Sequence, residues 1–193
     1  FCNRKARVMR TFREYFEDEQ KLNKVVLWGG GFKPPHKGHY QAFKNLLGEA
    51  GSGIVYIGKR ERDGITAEQS KAIWDIYKDY LGKPVDIHIA ELSPIKSVYD
   101  FADDNKDIGI IAARGAKEDK TGGKDIDAYK SLGDSEKYPN VEVREVAIEE
   151  EGIGGTESRE AMSDNIDDAI EYLVPRDVKQ TDRDTIKAIL VNK

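Results

Sequence analysis

Three short runs of this chain carry almost no polar side chain on either face of any strand they could form: Val25-Val26-Leu27-Trp28, Ile54-Val55-Tyr56-Ile57 and Ile108-Gly109-Ile110-Ile111-Ala112-Ala113. Runs of this length without polar alternation read as strands covered on both sides, the condition of a parallel sheet. Val85–Ala90 and Val141–Ile148 supply a third and a fifth strand, the latter with Val141, Val143 and Val146 apolar. Helical patterns separate them. Tyr40, Phe43 and Leu47 share one face, and Thr66 with Gln69 forms a capping box that opens a helix through about Tyr80, ended by Gly82 and Pro84. Ser97 with Asp100 suggests a second such start, and further helices are expected near Asp125–Leu132, from Glu157, over Ile166–Val174 and over Thr181–Val191. Strand and helix in alternation predict an α/β fold. The expected form is a doubly wound, parallel, five-stranded sheet in the order 3-2-1-4-5 with helices on both faces. In such a sheet, ligands bind beyond the carboxyl ends of strands one and four, where the winding reverses.

The 193 residues suit one domain, divided here into an N-terminal helical extension (1–22) and a main domain with C-terminal helices (23–193). Arg4–Gln20 is amphipathic, with Val8, Phe12, Tyr15 and Phe16 near one stripe, and is expected to pack on the outside of the domain. A net charge of -5 gives no electrostatic reason to expect nucleic acid as a partner. The single Cys2 excludes an internal disulfide and a multi-cysteine zinc site and fits a reducing compartment, so a cytoplasmic location is expected. No apolar run is long enough for a membrane span, and Phe1–Gln20 is charged throughout, without the apolar core of a signal peptide. The start at Phe1 instead of Met suggests a processed or excised piece of something longer.

The chemistry concentrates in Gly29-Gly30-Gly31-Phe32-Lys33-Pro34-Pro35-His36-Lys37-Gly38-His39, between the first strand and the first helix. A helix start offers unpaired N–H groups and the positive end of a dipole, and three glycines allow backbone to approach an anion. Residues three apart on a helix share a face, so His36 and His39 can serve one phosphate. A tight turn with no ligand is the plainer reading of the glycines. A metal site is disfavoured, because only His88 remains as a further histidine and Cys2 is remote in sequence. Two other strand ends carry cations. Arg114-Gly115-Ala116-Lys117 follows strand four. Ile153-Gly154-Gly155-Thr156-Glu157-Ser158-Arg159 follows strand five, with Thr156 a candidate N-cap and Arg159 in the first helical turn. Trp28 and Trp74 lie in apolar patterns and read as core.

Gly30 to His39 resembles the GxFxPxHxGH form of the HxGH signature of the nucleotidylyltransferase superfamily. Ile153, Thr156 and Arg159 match its ISSTxxR element, while Gly154 and Gly155 replace the serines and remove two hydroxyl donors. Arg114 to Lys117 is similar to the RGxR element of the adenylyltransferase branch, such as the phosphopantetheine enzyme, and Lys33 to Tyr40 is similar to the nicotinamide mononucleotide enzymes. Lys117 supplies a point charge where that element has a planar fork. The likeness spans roughly Lys24–Met162 in organisation and rests on three short motifs.

The resemblance implies a Rossmann-like transferase in which an acceptor phosphate attacks the α-phosphorus of a nucleoside triphosphate and releases pyrophosphate. It implies His36, His39 and Arg159 as catalytic, and Gly30, Gly31, Phe32, Lys33, Arg114, Gly115, Lys117, Gly155 and Thr156 as nucleotide-binding. Mg²⁺ would arrive with the nucleotide. ATP is expected over CTP, with a phosphorylated small molecule as acceptor. A CTP-using cytidylyltransferase and a non-catalytic nucleotide-binding module are the alternatives. The acceptor, and whether the protein is a homo-oligomer, stay open.

Overall fold

The structure, a computed structural model, describes residues 23–115, 124–146 and 155–191. The expected helix over Arg4–Gln20, together with Lys117 and Gly152-Ile153-Gly154, lies outside the described residues. The elements run β1 (Lys24–Gly30), α1 (Lys37–Leu47), β2 (Ser52–Ile57), α2 (Ala67–Lys78), β3 (Val85–Ile89), α3 (Pro94–Asp104), β4 (Gly109–Gly115) and α4 (Lys124–Gly133). They continue with β5 (Val141–Val146), α5 (Gly155–Asp164), α6 (Ile166–Leu173) and α7 (Gln180–Val191).

All five strands are parallel, in the order β3-β2-β1-β4-β5, the Rossmann-like arrangement expected from the sequence. β1 is central, and its apolar run is divided between two cores. Val26 and Trp28 join one cluster with Phe43, Trp74, Ile170 and Ile186, whereas Val25 and Leu27 join another with Val98, Ala102 and Leu132. Strand alternation explains the division, since neighbouring side chains point to opposite faces. Helices α1, α2, α6 and α7 thus cover one face, and α3 and α4 cover the other.

The helix starts follow local chemistry. Thr66 caps α2, with reciprocal bonds between Thr66 and Gln69. The start expected at Ser97 is corrected: α3 begins at Pro94 with Ser93 as N-cap, and Ser97 lies inside it. Proline has no N–H to lose at a first helical position, so Ser93-Pro94 outcompetes the later signal. Likewise α5 begins at Gly155, so Thr156 is within its first turn instead of capping it, and Arg159 falls one turn further on.

Packing under α1 is what fixes the site. Tyr40, Phe43 and Leu47 are buried, and Phe43 sits between Trp28 and Trp74 with ring centroids 6.0 and 5.8 Å away. Removing such a ring costs about 3–5 kcal/mol. At the far end of the helix's buried face, the Tyr40 hydroxyl meets Asp177 at 2.7 Å, and the Lys44 ammonium donates to the same carboxylate oxygen at 2.7 Å. The C-terminal helices therefore brace α1 as well as completing the core.

Candidate functional site

The turn after β1 is shaped by what its glycines touch. A Cβ on Gly30 would lie 2.8 Å from the Phe32 ring, and one on Gly29 would lie 2.9 Å from Pro94 of α3. These two glycines make room for protein, whereas Gly31 has open space where a Cβ would stand. Phe32 adopts a left-handed φ of 48° and turns its ring inward, edge-on to Trp28, Trp74 and His39. It is 5% exposed, so it acts as the floor beneath His39.

His36 is the N-cap of α1 and His39 its third residue, and together they form a capping box made of imidazoles. The Gly38 N–H donates to His36 Nδ1 at 3.2 Å, and the His36 N–H donates to His39 Nδ1 at 3.3 Å. Each Nδ1 is thus an acceptor, which places the proton of each neutral ring on Nε2. The rings lie 3.7 Å apart, centroid to centroid. Burial, reinforced by the nearby charge of His36, holds His39 well below the ordinary imidazole range. His39 is therefore a neutral donor near pH 7.

Lys33 is also drawn inward. Its ammonium donates to the carbonyls of Gly31 (3.0 Å) and Gly58 (2.9 Å), tying the turn after β1 to the end of β2. Burial lowers it to about 8, opposed by Glu68 and assisted by Arg62. Its role in the structure is to hold the turn.

Arg159 reaches this turn from α5. It donates from Nη1 to the Lys33 carbonyl at 3.0 Å, and its Nε is ion-paired with Asp63. The guanidinium side chain is 13% exposed. Arg114, at the end of β4, is ion-paired with Glu145, its register partner on β5. Gly115 closes that strand, and Gly155 and Thr156 form the start of α5. His36, His39, Lys33, Phe32 and Arg159 are therefore brought together beyond the carboxyl end of β1, while Arg114 and Gly115 end the neighbouring strand.

Sequence reasoning missed Asp63, Glu145 and the Lys33–Gly58 tie. Asp63-Gly64 is a turn dipeptide, and that signal was available. The structure makes it a two-residue turn, with Arg62 and Ile65 exchanging backbone bonds of 3.2 and 3.0 Å and left-handed φ of 51° and 77° at the tip. A separate cavity of about 300 Å³, lined by Tyr56, Leu92, Lys96, Asp100 and Phe101 among others, contains none of the candidate catalytic or nucleotide-binding residues. Among the described residues, no three His, Cys, Asp or Glu side chains are grouped to hold a metal, and no helix is long and apolar enough to cross a membrane. No protein-family model matches the chain and no curated protein matches it in sequence, so the geometry of the turn itself is what a functional reading has to stand on.

Proposed function

We propose that the protein is a nucleotidylyltransferase that transfers a nucleoside monophosphate, AMP from ATP in the favoured form, to a phosphorylated small-molecule acceptor. The observation that carries this reading is the pairing of two imidazoles, each with Nδ1 engaged as an acceptor at the N-terminus of α1, with Arg159, which bonds to a backbone carbonyl of the same turn. His36 and His39 at the start of α1, with Arg159 bonded to the same turn, put three donor side chains beyond the carboxyl end of β1, at the switch point of the sheet. The donor set is imidazole N–H, guanidinium and backbone N–H, which suits phosphate oxygens better than direct metal ligation.

In the reaction, an acceptor phosphate oxygen forms a bond to the α-phosphorus as the bond from that phosphorus to the pyrophosphate oxygen breaks, and pyrophosphate leaves with the electron pair. No covalent intermediate with the protein is required. His36 and His39 donate from Nε2 to α-phosphate oxygens, where charge grows toward the transition state. Arg159 holds the leaving pyrophosphate, helped by the first turn of α5 at Gly155 and Thr156. Arg114 and Gly115 flank the nucleotide from the end of β4, and Lys117 is assigned to it from the sequence alone. Mg²⁺ brought in with the nucleotide would supply further charge neutralisation beside the donors of His36, His39 and Arg159. Alignment of the two anions by fixed donors then supplies the rest of the acceleration.

The test is pyrophosphate release with each nucleoside triphosphate against a panel of phosphorylated acceptors, with ATP expected to turn over fastest. A clear preference for CTP replaces the adenylyl assignment with a cytidylyl one. Tight nucleotide binding without release against any acceptor makes the protein a binding module.

A further inference from the structure

We infer that Asp63 is a built-in stand-in for phosphate: it occupies the Arg159 guanidinium until an incoming polyphosphate takes its place. The inference rests on the assignment of Arg159 to the leaving pyrophosphate. Asp63 stands at the tip of the two-residue turn between Arg62 and Ile65, 96 positions before Arg159 in the chain, and pairs with Arg159 Nε. The turn presents it firmly. Ile65 is 1% exposed and anchors one side, and the reciprocal backbone bonds fix the other. The Asp63 backbone sits at φ 51°, a left-handed value that Asp and Asn tolerate better than other side chains.

The two partners differ in what they lose on separation. The Asp63 side chain is 63% exposed and regains water by a rotation of its own, without movement of the turn. The Arg159 side chain is 13% exposed, so water compensates it less than it does Asp63 when the two separate, and an incoming anion gains by taking the vacated side. An exchange of anions at a fixed cation follows. A carboxylate with one charge holds the place, and a phosphate chain with more charge and more acceptor oxygens displaces it. The arrangement keeps Arg159 in its working rotamer, because Nη1 stays on the Lys33 carbonyl while Nε changes partner. It also filters ligands, since a singly charged anion gains nothing over Asp63.

The test is calorimetric binding of Mg²⁺-pyrophosphate to the full chain, to Asp63→Asn and to Arg159→Ala, with a melting temperature for each without ligand. Asn keeps the left-handed turn and removes the charge, and Asp63→Gly serves as a second variant that also suits the turn. The expected result is binding about fivefold tighter in both Asp63 variants, the exchange value of a partly exposed ion pair, with near-complete loss in Arg159→Ala. Acetate at the same ionic strength should compete measurably in Asp63→Asn and not in the wild type. Equal or weaker pyrophosphate binding in both folded Asp63 variants, with Arg159→Ala still defective, overturns the stand-in and leaves the phosphate assignment intact. Pyrophosphate binding that ignores Arg159→Ala overturns both.

Discussion

The two ends of the candidate site are built in opposite ways. The histidine end is made from consecutive residues: His36, Gly38, His39 and Tyr40 satisfy one another through backbone bonds spanning two to four positions. The arginine end is made from residues remote in the chain, with Arg159 held by Asp63 and by the Lys33 carbonyl 126 positions away. A capping box forms as soon as α1 forms, so the imidazoles are oriented by local geometry. Arg159 is oriented only when the sheet is complete and α5 has docked. Sensitivity to substitution should follow the same division: chemistry is lost at the histidine end, and binding at the arginine end.

The largest effect is expected at the histidine end. On the proposed reaction His39→Ala would remove a donor whose interaction strengthens as charge grows on phosphorus, so kcat should fall on the order of a hundredfold or more. Nucleotide affinity should fall much less. Steady-state kinetics with the preferred triphosphate check this, and a rise in KM at unchanged kcat would break the comparison. The metal alternative has its own signature, stoichiometric zinc in the purified protein that is lost in His39→Ala.

At the arginine end, Arg159→Lys keeps the charge and loses the planar fork that bonds the Lys33 carbonyl and an anion together. Triphosphate binding should weaken about tenfold, near the value of one charge-assisted hydrogen bond, with the melting temperature little changed. Titration calorimetry measures it. Unchanged affinity in the Lys variant removes Arg159 from the site.

How much of this could be read from the sequence follows the same line between local and remote. The apolar runs at Val25–Trp28 and Ile108–Ala113 determine a doubly covered sheet, and the strand order came with the alternation of elements. His36 and His39 were legible because their geometry depends on four consecutive residues. Asp63, Glu145 and Gly58 were not, because nothing near them in sequence states which cation or carbonyl they will meet across the sheet. What the glycines make room for was hidden for a related reason. Gly29 and Gly30 accommodate Pro94 and the Phe32 ring, and the sequence shows a missing Cβ without showing what takes its space. Ser97 looked like a helix start until Ser93-Pro94 proved a better one.

A smaller effect tests whether His39 is held neutral. Its folded value lies well below 6.5 through burial and the charge of His36, so between that value and 6.5 the unfolded chain binds a proton that the native chain does not. The stabilising contribution is full above 6.5 and is lost as pH falls through that window. His39→Asn, which keeps an amide oxygen for the His36 N–H, should flatten this acid limb. Urea midpoints at pH 7.5 and 5.5 for both proteins check it, and a fall of equal size in the variant assigns the limb to other groups.

The smallest effect should come from the other arginine. Arg114 and Glu145 are register partners on adjacent strands, so their ion pair is held by the β4–β5 ladder rather than by a rotatable side chain at a turn tip. The Glu145 side chain is 52% exposed, so Glu145→Gln should cost less than about 1 kcal/mol of stability, as for other exposed pairs. Pyrophosphate binding should not change, because Glu145 touches the cation beside β4 and not Arg159. ATP binding should stay within about twofold, since the glutamine amide oxygen still accepts from the guanidinium at a strength typical of a neutral hydrogen bond. The pair of measurements is informative in both directions. If ATP binding weakens tenfold while pyrophosphate binding holds, the carboxylate aims Arg114 at the nucleoside, and the arginine end divides into a part that recognises phosphate and a part that recognises the base. If pyrophosphate binding tightens as expected for Asp63→Asn, both arginines carry exchangeable carboxylates and the contrast between rigid ladder and turn tip fails.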